Sequence, residues 1–475
     1  MLLGRPMQPR RVPVEPIVLA LFGVLAWVAR ASPYFRPTGV LGWATDSDEG
    51  VYLSASWLLW HGVMPWRDFV FVHPPAVPVL LSFATVWDVT ASKAFELARW
   101  GVTAVGALNV WLAATVVHRR VGFTGACVTA GLLCVWPEVL TCDRGVHLEP
   151  FLTAACLVAM WLDDNALPRR AWWAGAWFGL GGLVKTWAAL WVVGWLLARG
   201  RKAVSGAVVA GGVVLLGFGA MLVLSSDALT QVILFHLRRP PDGDPELSVR
   251  LGEMFLARSY LPLVLLALGL PVFWWRRRDV FTRHLLLVAV LLIAAFLSAA
   301  AYWSQYNAHL AFPLAMLSGV AVHGWLERAP AFARSTWVAV VLGVLAGGRG
   351  FQWLMLVRKD ADPKQAATVE LLKREPPGPL CAFELNELLM ADRWPTVLSG
   401  TRSLIDPYGQ MLIEATEHQR YPSAFAAFSD ESAQRTVRSQ LEACPRWFLG
   451  WRGRWQLNDQ TKAQLSPERL VDPLP

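Results

Sequence analysis

Long apolar runs separated by short polar stretches dominate the chain. Ala203 to Leu224 contains no charged residue, and His284 to Trp303 contains no Lys, Arg, Asp or Glu. A hydrocarbon core of about 30 Å takes about 20 helical residues at roughly 1.5 Å each, so runs of this length read as membrane spans. The pattern predicts eleven of them, at approximately 16–32, 98–118, 121–141, 150–163, 171–184, 186–198, 203–224, 260–275, 284–303, 307–326 and 335–356. Basic clusters at Arg119-Arg120, Arg169-Arg170, Arg199 to Lys202, Arg276 to Arg283, and Arg328 with Arg334 mark the cytoplasmic ends. Arg5, Arg10 and Arg11 precede the apolar run Pro16 to Val28, which lacks a small-residue cleavage site. It reads as an uncleaved first span with a cytoplasmic N-terminus. Ala76 to Val89 would break the alternation, so it reads as an interfacial or re-entrant helix. The expected fold class is an all-α polytopic membrane bundle with an amphipathic extracytoplasmic loop.

From residue 357 the pattern changes. Charge density becomes ordinary, turn signals appear at Glu375 to Pro379 and Asp406-Pro407, and short apolar runs occur at Leu380 to Phe383 and Trp447 to Gly450. Helical periodicity at Ala366 to Lys373 and Glu431 to Glu442 alternates with them, predicting a small α/β domain. The expected division is a membrane domain over 1–356, with its first loop at 33–75, and a domain over 357–475. An odd number of spans puts that tail outside. Cys381 and Cys444 lie there, and either a disulfide or two buried thiols suits them. The other four cysteines, Cys127, Cys134, Cys142 and Cys156, sit in or beside apolar segments as small core residues.

Composition narrows the class. The chain is 55% hydrophobic and 16% charged, with 26 Trp, far from a soluble protein. The net charge of +8 does not indicate nucleic acid. Residues 357–475 hold 15 Lys and Arg against 16 Asp and Glu, while the remainder holds 28 against 19. The basic excess therefore orients spans. No zinc spacing, Gly-rich phosphate loop or N-x-[ST] sequon occurs, and nothing in the sequence requires a metal or other cofactor.

The exceptional stretch is Asp46 to Pro75, DSDEGVYLSASWLLWHGVMPWRDFVFVHPP. It places Asp46, Asp48 and Glu49 within four residues and interleaves Trp57, Trp60, Trp66, Phe69 and Phe71 with Arg67, Asp68 and His73. Most charge clusters between spans are hydrated loops, but ionisable groups at a membrane boundary point to function. Asp48-Glu49, Gly62-Val63-Met64-Pro65-Trp66 and His73-Pro74-Pro75 resemble the first extracytoplasmic loop of the polytopic membrane glycosyltransferases that use polyprenyl-phosphate sugars. Protein O-mannosyltransferases and aminoarabinose transferases belong to that superfamily. The resemblance extends over roughly residues 16–330.

It implies a polyprenyl-phosphate sugar donor, a glycan, lipid or protein acceptor, and an extracytoplasmic site in a bacterial inner membrane. A carboxylate would take the acceptor proton, attack opposite the leaving group would invert the anomeric centre, and basic groups would stabilise the leaving phosphate. By this resemblance Asp48 is the base, Glu49 its neighbour and Asp46 the competing candidate, although Asp46 also suits a helix N-cap. Adjacent helical carboxylates cannot share a face, so Asp48 and Glu49 should diverge. His73, Arg144, Lys185 and His309 are the candidate phosphate ligands; many relatives have lysine where His73 stands. Arg67, His147, Glu149, Tyr302 and Tyr306 are candidate lining residues. Lys185 lies in GLGGLVKTW and could instead snorkel, while Tyr302, Gln305 and Tyr306 could belong to an aromatic belt. Leu404-Ile405-Asp406-Pro407-Tyr408-Gly409 resembles an element in the tails of bacterial relatives, with no role assigned. A transporter, a hydrolase or ligase acting on lipid-linked sugars, and a non-catalytic scaffold are the competing readings.

Overall fold

The computed structural model describes residues 14–42, 46–163, 168–243, 246–256, 260–329, 363–417 and 419–471. The expected span at 335–356 lies outside these. The chain opens with α1 (Val14–Ala31), then α2 (Ser47–Trp60), the short α3 (Ala76–Leu80) and α4 (Ser82–Thr85), and the 30-residue α5 (Ala91–Arg120). Then come α6 (Phe123–Cys134), α7 (Pro137–Arg144), α8 (Glu149–Leu162), α9 (Pro168–Val184), α10 (Ala188–Arg199) and α11 (Val204–Leu224). The last part of the bundle holds α12 (Phe235–Arg238), α13 (Leu247–Leu251), α14 (Tyr260–Trp275), α15 (Val280–Ser298) and α16 (Tyr306–Arg328).

Among the described residues, five helices are long and apolar enough to cross a membrane, or six counting the bent pair α6 and α7. This is an integral membrane protein. The run expected as one span at 121–141 is broken by 62° between α6 and α7. Pro137 opens α7, where its missing N–H costs nothing, but it could not continue α6. Residues 76–89 form two short turns of helix rather than a span, with Val79, Phe83, Val86 and Trp87 exposed.

Ala188 to Leu224 is helical over 37 residues, yet it turns back on itself between α10 and α11, at the basic cluster Arg199 to Lys202. Gly175 faces Gly206, Gly179 faces Ala210, and Gly182 faces Val214, so α9 and α11 run parallel. Gly181 faces Ala188 and the Phe178 ring packs tilted against Trp195, so α9 and α10 run antiparallel. The chain turns at Gly200, whose φ is +60°. A Cβ on Gly175 would lie 1.9 Å from the Gly206 carbonyl oxygen. Small residues let these backbones approach where apolar surface alone, facing lipid, would not hold them.

In the tail, strands Cys381–Ala382 and Trp447–Phe448 pair in parallel, and helices fill most of the rest. Helices Pro363–Arg374 and Glu431–Glu442 fall where the periodicity places them. Cys381 and Cys444 are joined in a disulfide. The tail's apolar core takes in Val70 and Val72 of the first loop and Phe235 of α12. Ser403 N–H donates to the Asp68 carbonyl at 2.9 Å, and Asn386 Nδ2 donates to the Asp46 carbonyl at 2.7 Å while its Oδ1 accepts from Gly50 N–H at 2.6 Å. The tail is therefore seated on the start of α2.

Candidate active site

The site forms at the N-terminus of α2. Asp46 caps the helix by accepting from Asp48 N–H at 3.0 Å, and Glu49 reaches back to Asp46 N–H at 3.0 Å. This capping box satisfies N–H groups that the first turn leaves without partners. The two adjacent carboxylates then diverge. Glu49 points inward, fully buried, and accepts from Arg99 Nε at 2.9 Å, Arg99 Nη2 at 2.7 Å and Val146 N–H at 2.7 Å. Both of its oxygens are saturated by short bonds. Asp48 points the other way, with about a third of its side chain exposed, and among the described residues it makes two long contacts. These are 3.3 Å to Tyr52 Oη and 3.3 Å to Arg452 Nη2. An accessible, oriented and unsaturated carboxylate can accept a further proton; Glu49 is built to hold α2, α5 and the α7–α8 link together.

Electrostatics separates Asp48 from Asp46 in the same direction. Burial works to raise Asp48, but the charge of Arg452 outweighs it and holds the carboxyl below its ordinary range. Asp46 is pushed up by burial and by the neighbouring charge of Asp48. Like charges this close do not ionise equally, so their proton affinities split, with Asp48 the more acidic of the two. Burial pushes His73 down to about 3, and its ring packs edge-on against Tyr52 and Phe71. It is neutral at physiological pH and can offer a hydrogen bond but no charge.

Lys185, in the break between α9 and α10, donates to Glu149 Oε1 at 2.5 Å and lies 4.3 Å from the Tyr306 ring centre. His147 is buried beside them. Cys142, His147 and Glu149 bring one ligand atom each within 4.8 Å of one another. The donor set would suit a soft divalent ion, but Glu149 is committed to the Lys185 ammonium, whose charge opposes a cation there. The geometry brings Asp46, Asp48, His73, His147, Glu149, Lys185 and Tyr306 into one region.

Of the remaining expected residues, Arg144 and Arg67 stand apart from it, while Tyr302, edge-on to Tyr306, and His309, within electrostatic reach of Glu149 and Lys185, lie at its margin. Arg144 is buried against α1, donating to the carbonyls of Arg30 at 3.2 Å and Ala29 at 2.8 Å. His309 accepts from Trp191 Nε1 at 2.7 Å and meets Thr153 Oγ1 at 2.8 Å, so both ring nitrogens are engaged. Tryptophan can only donate, which fixes the proton on Nδ1. Tyr302 is buried against Asn307 and the Arg250 guanidinium, and Arg67 is exposed and paired with Asp68. Arg99 and Arg452 were missed in the sequence. Arg99 could have been noticed as a charge inside an apolar helix; nothing local marks Arg452.

No curated protein sequence matches the chain. Residues 71–301, just under half its length, match the model of Glycosyltransferase family 87. The match spans His73, His147, Glu149 and Lys185 and begins after Asp48. Among solved structures, ArnT from Cupriavidus metallidurans in the apo state is similar at a TM-score of 0.61 and 15% identity, covering 88% of this chain and 91% of that one. ArnT bound to undecaprenyl phosphate is similar at 0.57 and 15%, covering 81% and 86%. The oligosaccharyltransferase AglB from Archaeoglobus fulgidus, in complex with an inhibitory peptide and a dolichol-phosphate, is similar at 0.54 and 13%, covering 80% and 64%. The fold is that of these membrane proteins, and the partial family match lies within it. The chain thus shares its fold across most of its length with proteins of widely different sequence.

Proposed function

We propose that the protein is a membrane glycosyltransferase that moves a monosaccharide from a polyprenyl-phosphate donor to an acceptor hydroxyl on the extracytoplasmic face, with inversion, using Asp48 as the general base. The observation that carries this reading is the contrast between Asp48 and Glu49. One is accessible and weakly held among basic groups; its neighbour is buried and saturated. In this mechanism Asp48 withdraws the acceptor proton as the hydroxyl oxygen attacks the anomeric carbon. The bond to the lipid phosphate breaks on the opposite side, through an oxocarbenium-like transition state. The departing phosphate gathers negative charge near Lys185, whose ammonium can turn from Glu149 to it, with the His147 and His73 rings as further donors. Undecaprenyl and dolichyl phosphates seen on the similar structures support a lipid-phosphate donor. A bacterial inner membrane, with the N-terminus cytoplasmic and the tail domain 357–475 outside, suits this chemistry. The acceptor is a glycan, lipid or protein hydroxyl.

The test is sugar transfer in membranes containing wild type, Asp48→Asn or Lys185→Ala, supplied with labelled polyprenyl-phosphate sugars. Asp48→Asn is expected to fold and to lose transfer by about 10²-fold or more. Transfer at the wild-type rate in the folded Asn variant would remove Asp48 from the role. Movement of lipid-linked sugar across the membrane without transfer would favour a flippase instead.

A further inference from the structure

The tail supplies a group that faces the first loop. Arg452 lies in the Gly450–Gln456 helix, and its Nη2 stands 3.3 Å from Asp48 Oδ1. Its own position is built with care. Its N–H donates to Glu384 Oε1 at 3.0 Å, and its guanidinium lies 5.6 Å from the Tyr408 ring centre. Arg239, from the segment between α12 and the Asp242–Gly243 strand, lies 5.4 Å from the same ring and donates to Tyr408 Oη at 2.7 Å. Arg239 is in turn paired with Asp242 at 2.7 Å. Tyr408 belongs to the Leu404 to Gly409 element, whose Asp406 accepts from Gly409 N–H at 2.8 Å and so caps the next helix. That element fixes the tyrosine against which Arg452 rests.

We propose that Arg452 is a positioning residue for Asp48, through which the extracytoplasmic tail completes the catalytic site. This rests on the reading of Asp48 as the base. Asp48 is faced by Asp46 and Tyr52 from its own helix, His73 from the first loop, His147 from the α7–α8 link, and Arg452 and Asp406 from the tail. Arg452 is faced by Asp48, Glu384, Asp46 and Asp406, with Glu387 nearby. Asp46 and Asp406 repel the Asp48 charge, and the two histidines carry charge only when protonated. Arginine is charged at every working pH. It is therefore the permanent cation that keeps Asp48 ionised. Its single long contact aligns one carboxylate oxygen and leaves lone pairs for the acceptor. Deleting the tail contact would leave the carboxylate free to rotate and easier to protonate.

The experiment measures kcat and donor KM against pH for the full-length protein in membranes, as wild type, R452K, R452Q and R452M; the last keeps an unbranched side chain without the charge. With an active polyprenyl-phosphate sugar donor, R452Q and R452M are expected to lower kcat by about 10²-fold with donor KM nearly unchanged. Their acid limb should move to higher pH by about one unit or more. R452K should keep the limb near its wild-type position. Wild-type kcat and an unmoved limb in either neutral variant would overturn the proposal, as would a raised kcat, which would make Arg452 a block on the base. Undiminished transfer by Asp48→Asn would overturn the reading of the base itself, whatever the Arg452 variants show.

Discussion

Glu49→Ala tests whether the second carboxylate is structural. Glu49 and Arg99 are both fully buried, and Glu49 takes two bonds from the guanidinium and two from backbone N–H groups of Asp46 and Val146. Truncation strips a buried arginine of its carboxylate, which costs about 3–5 kcal/mol. The two orphaned N–H groups add to that, but not independently. Loss on this scale should lower the apparent unfolding temperature of the purified protein in detergent by about 5 °C or more. Glu49→Gln should also destabilise, because its NH₂ would face a donor. The double variant Glu49→Gln with Arg99→Met should fall less than the sum of its parts, since it leaves no unpaired charge. The readout is thermal unfolding followed by loss of monodisperse protein, with transfer measured on the surviving fraction. An Ala variant that melts within about 1 °C of wild type would refute the reasoning.

Two further outcomes follow from the seating of the tail. Glu384 is pushed up to about 7 by burial and by Glu387. The folded state then holds a proton that the unfolded state releases near the ordinary carboxylate range, so stability is lost as pH rises through about 7. Glu384→Gln, which keeps an acceptor for Arg452 N–H, should flatten the fall in melting temperature between pH 5.5 and pH 8; an unchanged slope would show that Glu384 does not cause it. A Cβ at Gly50 would lie 2.6 Å from Asn386 Oδ1, so Gly50→Val should unseat the tail from α2, read as faster limited proteolysis within residues 363–471. Cleavage at the wild-type rate would mean that the contact does not hold it.

The apolar runs by themselves determined the class of protein and most of its helices, because a bilayer demands long uncharged segments and tolerates little else. The three carboxylates of Asp46 to Glu49 were equally legible, since nothing in a simple connector needs them. Their separate duties were not. Asp48 and Glu49 have the same chemistry one residue apart, and only the approach of Arg99 from α5 and of Arg452 from the tail distinguishes them. Arg144 and His309 are candidate phosphate ligands by resemblance alone, and only the folded chain shows their partners, the Ala29 and Arg30 carbonyls for one and Trp191 and Thr153 for the other. Local sequence records which groups a segment carries and which face of a helix they share. It carries no record of contacts made across 50 or 404 residues, such as Glu49 with Arg99 and Asp48 with Arg452. Those are decided by packing, which sets what each charge meets once water is removed.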